Sequence, residues 1–230
     1  MISKDLRNFI KRNIIEKKIN CSYLETGFLE GESAEEMLQL GFKKVVSIEI
    51  DRNHVEQGKS KFSKHIYDKK LELVHGDSSE KLSDYYSDKF DVIFLDAHNT
   101  YDQNLIEKSA PLEKEMNVII ERGLLSHQIL IIDDYLKIKY SYLFSFKGFD
   151  WRFLIGNKFS DLVKKLDKKT YEIPYKGNSH LLILGNNFMY NERHFKNLFF
   201  RIYNFNFLIK YNYLLLVRIV RYFLKKIIFR

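Results

Sequence analysis

The chain has 230 residues, 45% hydrophobic and 30% charged, with two prolines and one cysteine. That suits one well-filled domain plus an appendage, and it excludes a disordered chain or a disulfide scaffold; no apolar core of roughly 7–15 residues marks a cleaved signal peptide at the N-terminus. Of the 38 Lys and Arg and 30 acids that set a net charge of +8, residues 188–230 hold nine bases and one acid, so residues 1–187 are neutral, which argues against a body that tracks nucleic acid.

Residues 3–19 read as a lysine-rich amphipathic helix, with Leu6, Phe9, Ile10, Ile14 and Ile15 near helical spacing. Residues 21–25 have strand length. Cys21 at their head reads as a small buried hydrophobe in a reduced, cytosolic setting. A glycine-containing turn leads to a helix over about 33–40, which Gly41 stops. Residues 44–50 are a β-branched strand, and Asp51 can cap a helix to about residue 65. A third strand, 71–74, runs into Gly76-Asp77-Ser78, and residues 79–87 look helical. Residues 91–96 form a fourth strand, 103–122 a long helix ended by Gly123, and 128–133 a fifth strand. Past Asp134 the pattern weakens to a helix near 157–169. A hairpin of 171–175 and 180–184 follows, and the body ends near Asn187.

Strands alternating with helices predict a doubly wound, mostly parallel, Rossmann-like α/β sheet with a closing antiparallel hairpin. The carboxyl ends of its parallel strands then share one edge, where ligands of open α/β sheets bind. Acids recur there: Glu25 with Gly27 close behind, Glu49 and Asp51, Asp77, Asp96, then Asp133 and Asp134. Helix capping explains Asp51 and suits Asp77. Acids at five successive strand ends point to a site.

The ordered series resembles a known family. Glu25-Thr-Gly27-Phe28-Leu-Glu-Gly31-Glu-Ser33 looks like a cofactor-binding first loop, followed by Ser47-Ile-Glu49-Ile-Asp51, Gly76-Asp77-Ser78, Leu95-Asp96-Ala-His98-Asn-Thr-Tyr101 and Ile131-Ile-Asp133-Asp134. Over about residues 20–187 the set is similar to the class I S-adenosylmethionine (SAM)-dependent methyltransferases. It especially resembles the bacterial O-methyltransferases of the macrocin/cephalosporin type, and it also resembles sugar and polysaccharide methyltransferases with a D-A-H segment and a later I-D-D. The resemblance implies a SAM site built from Glu25, Gly27, Phe28, Gly31, Ser33, Glu49, Asp77, Ser78 and Asp96. In physical terms, Gly27 and Gly31 would let backbone approach the methionine part. Glu49 could accept both ribose hydroxyls, and Asp77 and Ser78 could reach the adenine. The chain lacks the G-x-G-x-x-G of dinucleotide folds.

Two devices could deprotonate an acceptor hydroxyl. His98 could act as a general base beside Asp96, or could merely cap the following segment. Alternatively Asp96, Asp133 and Asp134 could hold Mg²⁺, as the metal-dependent members of the resembled family imply, and acidify the hydroxyl. Tyr101 reads as packing or substrate lining.

Residues 188–230 interleave thirteen Phe and Tyr with the nine bases, and Arg218, Arg221 and Lys225 share one helical face. The longest uncharged run after Arg193, residues 202–209, is too short to span a bilayer. A cationic amphipathic helix lying on an anionic membrane surface fits, at the cytosolic face. A partner or homo-oligomer contact and single-stranded nucleic acid are the rivals. The reading is a SAM-dependent O-methyltransferase of a sugar or glycoconjugate hydroxyl. The alternatives are a nucleic-acid methyltransferase, or a non-catalytic membrane-recruited module of the same fold.

Overall fold

The computed structural model describes residues 2–87, 89–97, 111–139, 145–146, 149–150, 158–175 and 178–190. His98, Tyr101 and residues 191–230 of the tail lie outside them. The chain opens with α1 (Lys4–Ile10), whose N-cap Ser3 accepts the Leu6 N–H, and a π-helical turn, Lys11–Ile15. The predicted helix over 3–19 therefore stops early. The Asn13 amide group donates to the Phe9 carbonyl at 2.9 Å, and the Cys21 thiol donates to the Lys18 carbonyl at 2.8 Å, so the segment turns directly into the sheet.

Five parallel strands follow: β1 (Ser22–Thr26), β2 (Lys44–Glu49), β3 (Leu71–His75), β4 (Val92–Leu95) and β5 (Ile129–Ile132). Between and after them lie α2 (Glu32–Leu40), α3 (Arg52–Lys61), α4 (Ser63–Tyr67), α5 (Ser78–Tyr85), α6 (Leu112–Arg122) and α7 (Tyr135–Lys139). The single helix expected over 51–65 is two. Phe62, 4% exposed, closes α3 by tucking its ring edge-on against Phe28, 5.9 Å between centroids. A short ladder pairs β6 (Ser145–Phe146) with β7 (Phe149–Asp150). Then come α8 (Lys158–Lys165) and the expected hairpin, β8 (Lys169–Tyr175) and β9 (Asn178–Leu184).

The seven-stranded sheet runs β3-β2-β1-β4-β5-β9-β8, with β9 antiparallel to both neighbours. This is the predicted doubly wound sheet with its closing antiparallel pair. Successive strand residues point to opposite faces, so Leu24, Val46, Ile93, Leu130 and Ile132 pack under α5, α6 and α8. Tyr23, Val45, Phe94, Ile129 and Ile131 pack under α1 and α2. Both faces are covered, as a parallel sheet requires.

The body also extends past Asn187. Phe188 is buried, and Tyr190 packs on Phe9 and Tyr171 at 5.0 and 5.2 Å between centroids. Among the described residues no helix is long and apolar enough to cross a membrane.

Candidate functional site

The carboxyl ends of β1, β2, β4 and β5, with the start of β9 and the end of β8, share one edge of the sheet. A cavity of about 290 Å³ opens there, lined by Gly27, Phe28, Leu29, Glu30, Glu32, Ser33, His54 and Asp96. That volume is at the small end for a ligand site. Gly27 adopts φ +83°, and a Cβ there would stand 2.5 Å from the Asp96 carbonyl oxygen. Its hydrogen is needed less for contact with a ligand than for the close approach of the β1 and β4 ends.

Gly31, at φ +77°, has a similar reason: a Cβ would meet the Phe28 ring at 2.5 Å. It does not line the cavity. The Phe28 ring is buried against Phe62 and over Gly58, so only the residue's backbone side faces the cavity.

Glu25 does not line the cavity. It is fully buried, accepting from the Ser33 hydroxyl at 2.6 Å, the Tyr23 hydroxyl at 2.9 Å and the Ser47 hydroxyl at 2.7 Å. Burial raises its pKa to about 7, with the three hydroxyls offsetting part of the effect. A raised acid stabilises the fold below its unfolded pKa and loses that contribution as pH climbs through the folded value. Stability should therefore fall between pH 5 and 8 by up to about 3 kcal/mol from this group. Urea unfolding of Glu25→Gln should show that part of the pH slope removed. Glu115, also fully buried and raised to about 7 by burial, keeps its own share in the variant.

Glu49 ends β2 as expected, but its carboxylate is largely occupied. Oε2 accepts the Phe28 and Leu29 N–H groups at 2.9 Å each, and Oε1 accepts the Asp51 N–H at 2.8 Å. It braces the first loop, these bonds taking about three of roughly four lone-pair directions, and His54 Nδ1 lies 3.9 Å from Oε1. Asp77 caps α5, its Oδ1 accepting from Ser79 N–H at 2.9 Å, and Ser78 is buried. Neither lines the cavity.

Asp96 does line it, between Gly27 and Ser33. Burial, and then the nearby Asp133 carboxylate, push its acid well above the ordinary range. Asp133 is held below that range. Burial raises it, but the hydrogen bonds from His180 and Tyr175 outweigh the penalty. Asp133 and Asp134 do not join Asp96 as metal ligands. Asp133 Oδ1 takes the Tyr175 hydroxyl and the Asp134 N–H and lies 3.0 Å from His180 Nδ1, while Asp134 takes the Asn178 amide group. No group of three His, Cys, Asp or Glu among the described residues is placed to hold a metal. The donor set does not fit Mg²⁺, which demands several converging oxygens.

Sequence reasoning missed Leu29, Glu30, Glu32 and His54 in the lining. His54 stands one turn after the cap Asp51, and Glu30 and Glu32 flank Gly31, so loop adjacency was the available signal. Glu30 and Glu32 give the cavity an acidic lining suited to a cation such as a sulfonium or an ammonium.

The sequence model of the O-methyltransferase family matches residues 1–146. No curated protein sequence matches the chain. Among solved structures, the S-adenosylhomocysteine (SAH)-bound methyltransferase PaMTH1 of Podospora anserina is 16% identical. Each chain is covered to 80%, with a TM-score of 0.58. An O-methyltransferase from Bacillus cereus in complex with SAH is 17% identical, covering 80% of this chain and 82% of that one, TM-score 0.53. TomG from Streptomyces achromogenes, an O-methyltransferase involved in tomaymycin synthesis and bound to SAM, is 14% identical over 80% and 81%, TM-score 0.56. At these identities the likeness is one of fold.

Proposed function

The chain belongs to the O-methyltransferase family, whose model spans residues 1–146, and from that membership we propose that this SAM-dependent methyltransferase modifies a hydroxyl of a sugar or glycoconjugate at a membrane surface. The observation that carries the site is that Gly27 and Asp96, far apart in the chain, line one cavity at the carboxyl edge of the sheet, while Glu49 braces the Phe28 and Leu29 backbone in its wall.

When bound, SAM supplies a methyl group on a positively charged sulfur, and transfer forms a C–O bond as the S–CH₃ bond breaks. The residues present fit it. Gly27, Phe28, Ser33 and Asp96 line the cavity, and Glu30 and Glu32 favour the cationic end. Glu49 fixes the loop that carries Phe28 and Leu29 and keeps one acceptor direction toward a ribose hydroxyl. Asp77 and Ser78 lie at the outer end of the edge, where the adenine would reach. The acceptor hydroxyl needs a proton sink, a role proposed for His98, which follows Asp96 by two positions. The basic, aromatic residues 188–230 support the choice of a membrane-borne acceptor, since they fit anionic lipid headgroups.

The test is incubation with methyl-labelled SAM and cell-envelope extract. Label should enter glycan, and a chain ending at Tyr190 should retain SAH binding while transferring far less label to envelope material. Label in RNA would refute the acceptor, and equal transfer without the tail would refute the membrane role.

A further inference from the structure

Asp133 is turned inward, toward the chain's first residues rather than into the crevice. His180, fully buried on β9, places Nδ1 3.0 Å from Asp133 Oδ1 and accepts the Ser3 backbone N–H on Nε2 at 3.2 Å. The ring lies flat on Tyr175, with centroids 4.0 Å apart and 10° between the planes, and Phe94 meets it edge-on at 6.1 Å. Tyr175 donates its hydroxyl to the same Asp133 oxygen. An acceptor Nε2 puts the ring proton on Nδ1, the nitrogen that faces Asp133 Oδ1 at 3.0 Å, so the carboxylate favours this tautomer and ring orientation. Ser3 is the N-cap of α1, and Ile2 before it is 1% exposed. A residue 177 positions along the chain thereby pins the start of the first helix.

The latch stands at a particular end of the crevice. Along the edge the order is Glu49 on β2, Gly27 after β1, Asp96 after β4, Asp133 after β5, then His180 on β9. With the ribose on the Glu49 side and the sulfur near Asp96, the acceptor enters from the β5–β9 side. This orientation rests on the reading of the crevice as the SAM site.

We infer that Asp133, acting through His180, latches residues 2–10 beside the acceptor end of the crevice as a wall of the acceptor pocket, and that these carboxylates hold no divalent cation. Two donors already bond Asp133 Oδ1, His180 Nδ1 stands 3.0 Å from the same oxygen, and Asp134 is engaged by Asn178. A cation would have to displace them and release the segment. His180 is a positioning residue, since it acts on the pocket through Ser3.

The test uses the full chain. Electron paramagnetic resonance titration with Mn²⁺ should show no binding up to millimolar metal; sub-millimolar binding that Asp133→Asn abolishes would overturn the inference. By amide hydrogen exchange, His180→Phe should raise exchange across residues 2–10 about tenfold, the worth of one buried hydrogen bond, with peptides of β1 and β2 unchanged. His180→Gln, which can still accept from Ser3 and donate to Asp133, should restore protection. Protection that persists in His180→Phe would overturn the latch. SAH affinity, read by calorimetry, should stay within about twofold in both variants, because the latch lies away from the cofactor loop. Failure of the wild-type chain to bind SAH would instead refute the reading of the crevice while leaving the exchange result to stand alone.

Discussion

Replacing Gly27 by Ala is expected to abolish SAH binding and methyl transfer. At φ +83° an L-residue costs about 1–2 kcal/mol before any contact is made. The added Cβ would then stand 2.5 Å from the Asp96 carbonyl oxygen, 2.8 Å from its carbon and 3.0 Å from the Ala97 Cα. These are backbone atoms, so no side chain can swing aside. Either the loop after β1 or the loop after β4 must move, yet both are tied. The Gly27 N–H donates to the Ile48 carbonyl at 2.8 Å, and the Asp96 N–H donates to the Thr26 carbonyl at 3.1 Å. Because Gly27 and Asp96 line the same cavity, moving either loop changes its shape. Calorimetry should show SAH affinity reduced more than about 100-fold, or about 3 kcal/mol, with far-UV circular dichroism retained. Gly31→Ala makes a useful contrast. Its Cβ would meet only the Phe28 and Phe62 rings, which can shift, so its loss should be smaller. Wild-type affinity in Gly27→Ala would refute the view that this approach shapes the site.

The β/α order and the strand ends were legible because apolar runs of four to six residues alternate with helical periods, and strand ends follow directly from where those runs stop. The chemistry at the strand ends was less legible. Sequence places Glu25, Glu49, Asp96 and Asp133 at the binding edge, and all four are there. It says nothing of which way a carboxylate turns. Glu25 points into the sheet because hydroxyls from Tyr23, Ser33 and Ser47, on three separate segments, converge on it. Asp133 turns away because His180 arrives from a strand 47 positions later. Such pairings are tertiary and have no local signature. The glycines illustrate the same gap. Gly27 and Gly31 were identifiable as special, but the neighbours that exclude a side chain include Asp96 and Ala97 after β4 and Phe62 after α3, distant in sequence. Gly58, in mid-α3, drew no notice in the sequence, although a Cβ there would lie 2.4 Å from the Phe28 ring.

Glu49→Gln should weaken SAH binding by about 10–100-fold without unfolding the domain. The carboxylate receives three backbone N–H groups, two of them from the loop that walls the cavity. Bonds to a charged acceptor are worth about 1.5–3 kcal/mol each, and glutamine can keep only one oxygen. With its NH₂ in the Oε2 place, donor faces donor at both Phe28 and Leu29. With its NH₂ in the Oε1 place, the Asp51 amide is opposed and the direction left for ribose becomes a donor. The second orientation preserves the loop and costs less, so the loop should persist while affinity falls. The same geometry sets the size of a second effect. With one lone-pair direction remaining, removal of either ribose hydroxyl from the ligand should cost no more than about tenfold, the worth of one hydrogen bond. A loss well beyond that on removing both hydroxyls, together with faster amide exchange at Phe28 and Leu29 when the intact ligand binds, would mean that Glu49 lets go of the loop to grip the ribose. The brace would then be a property of the empty site alone.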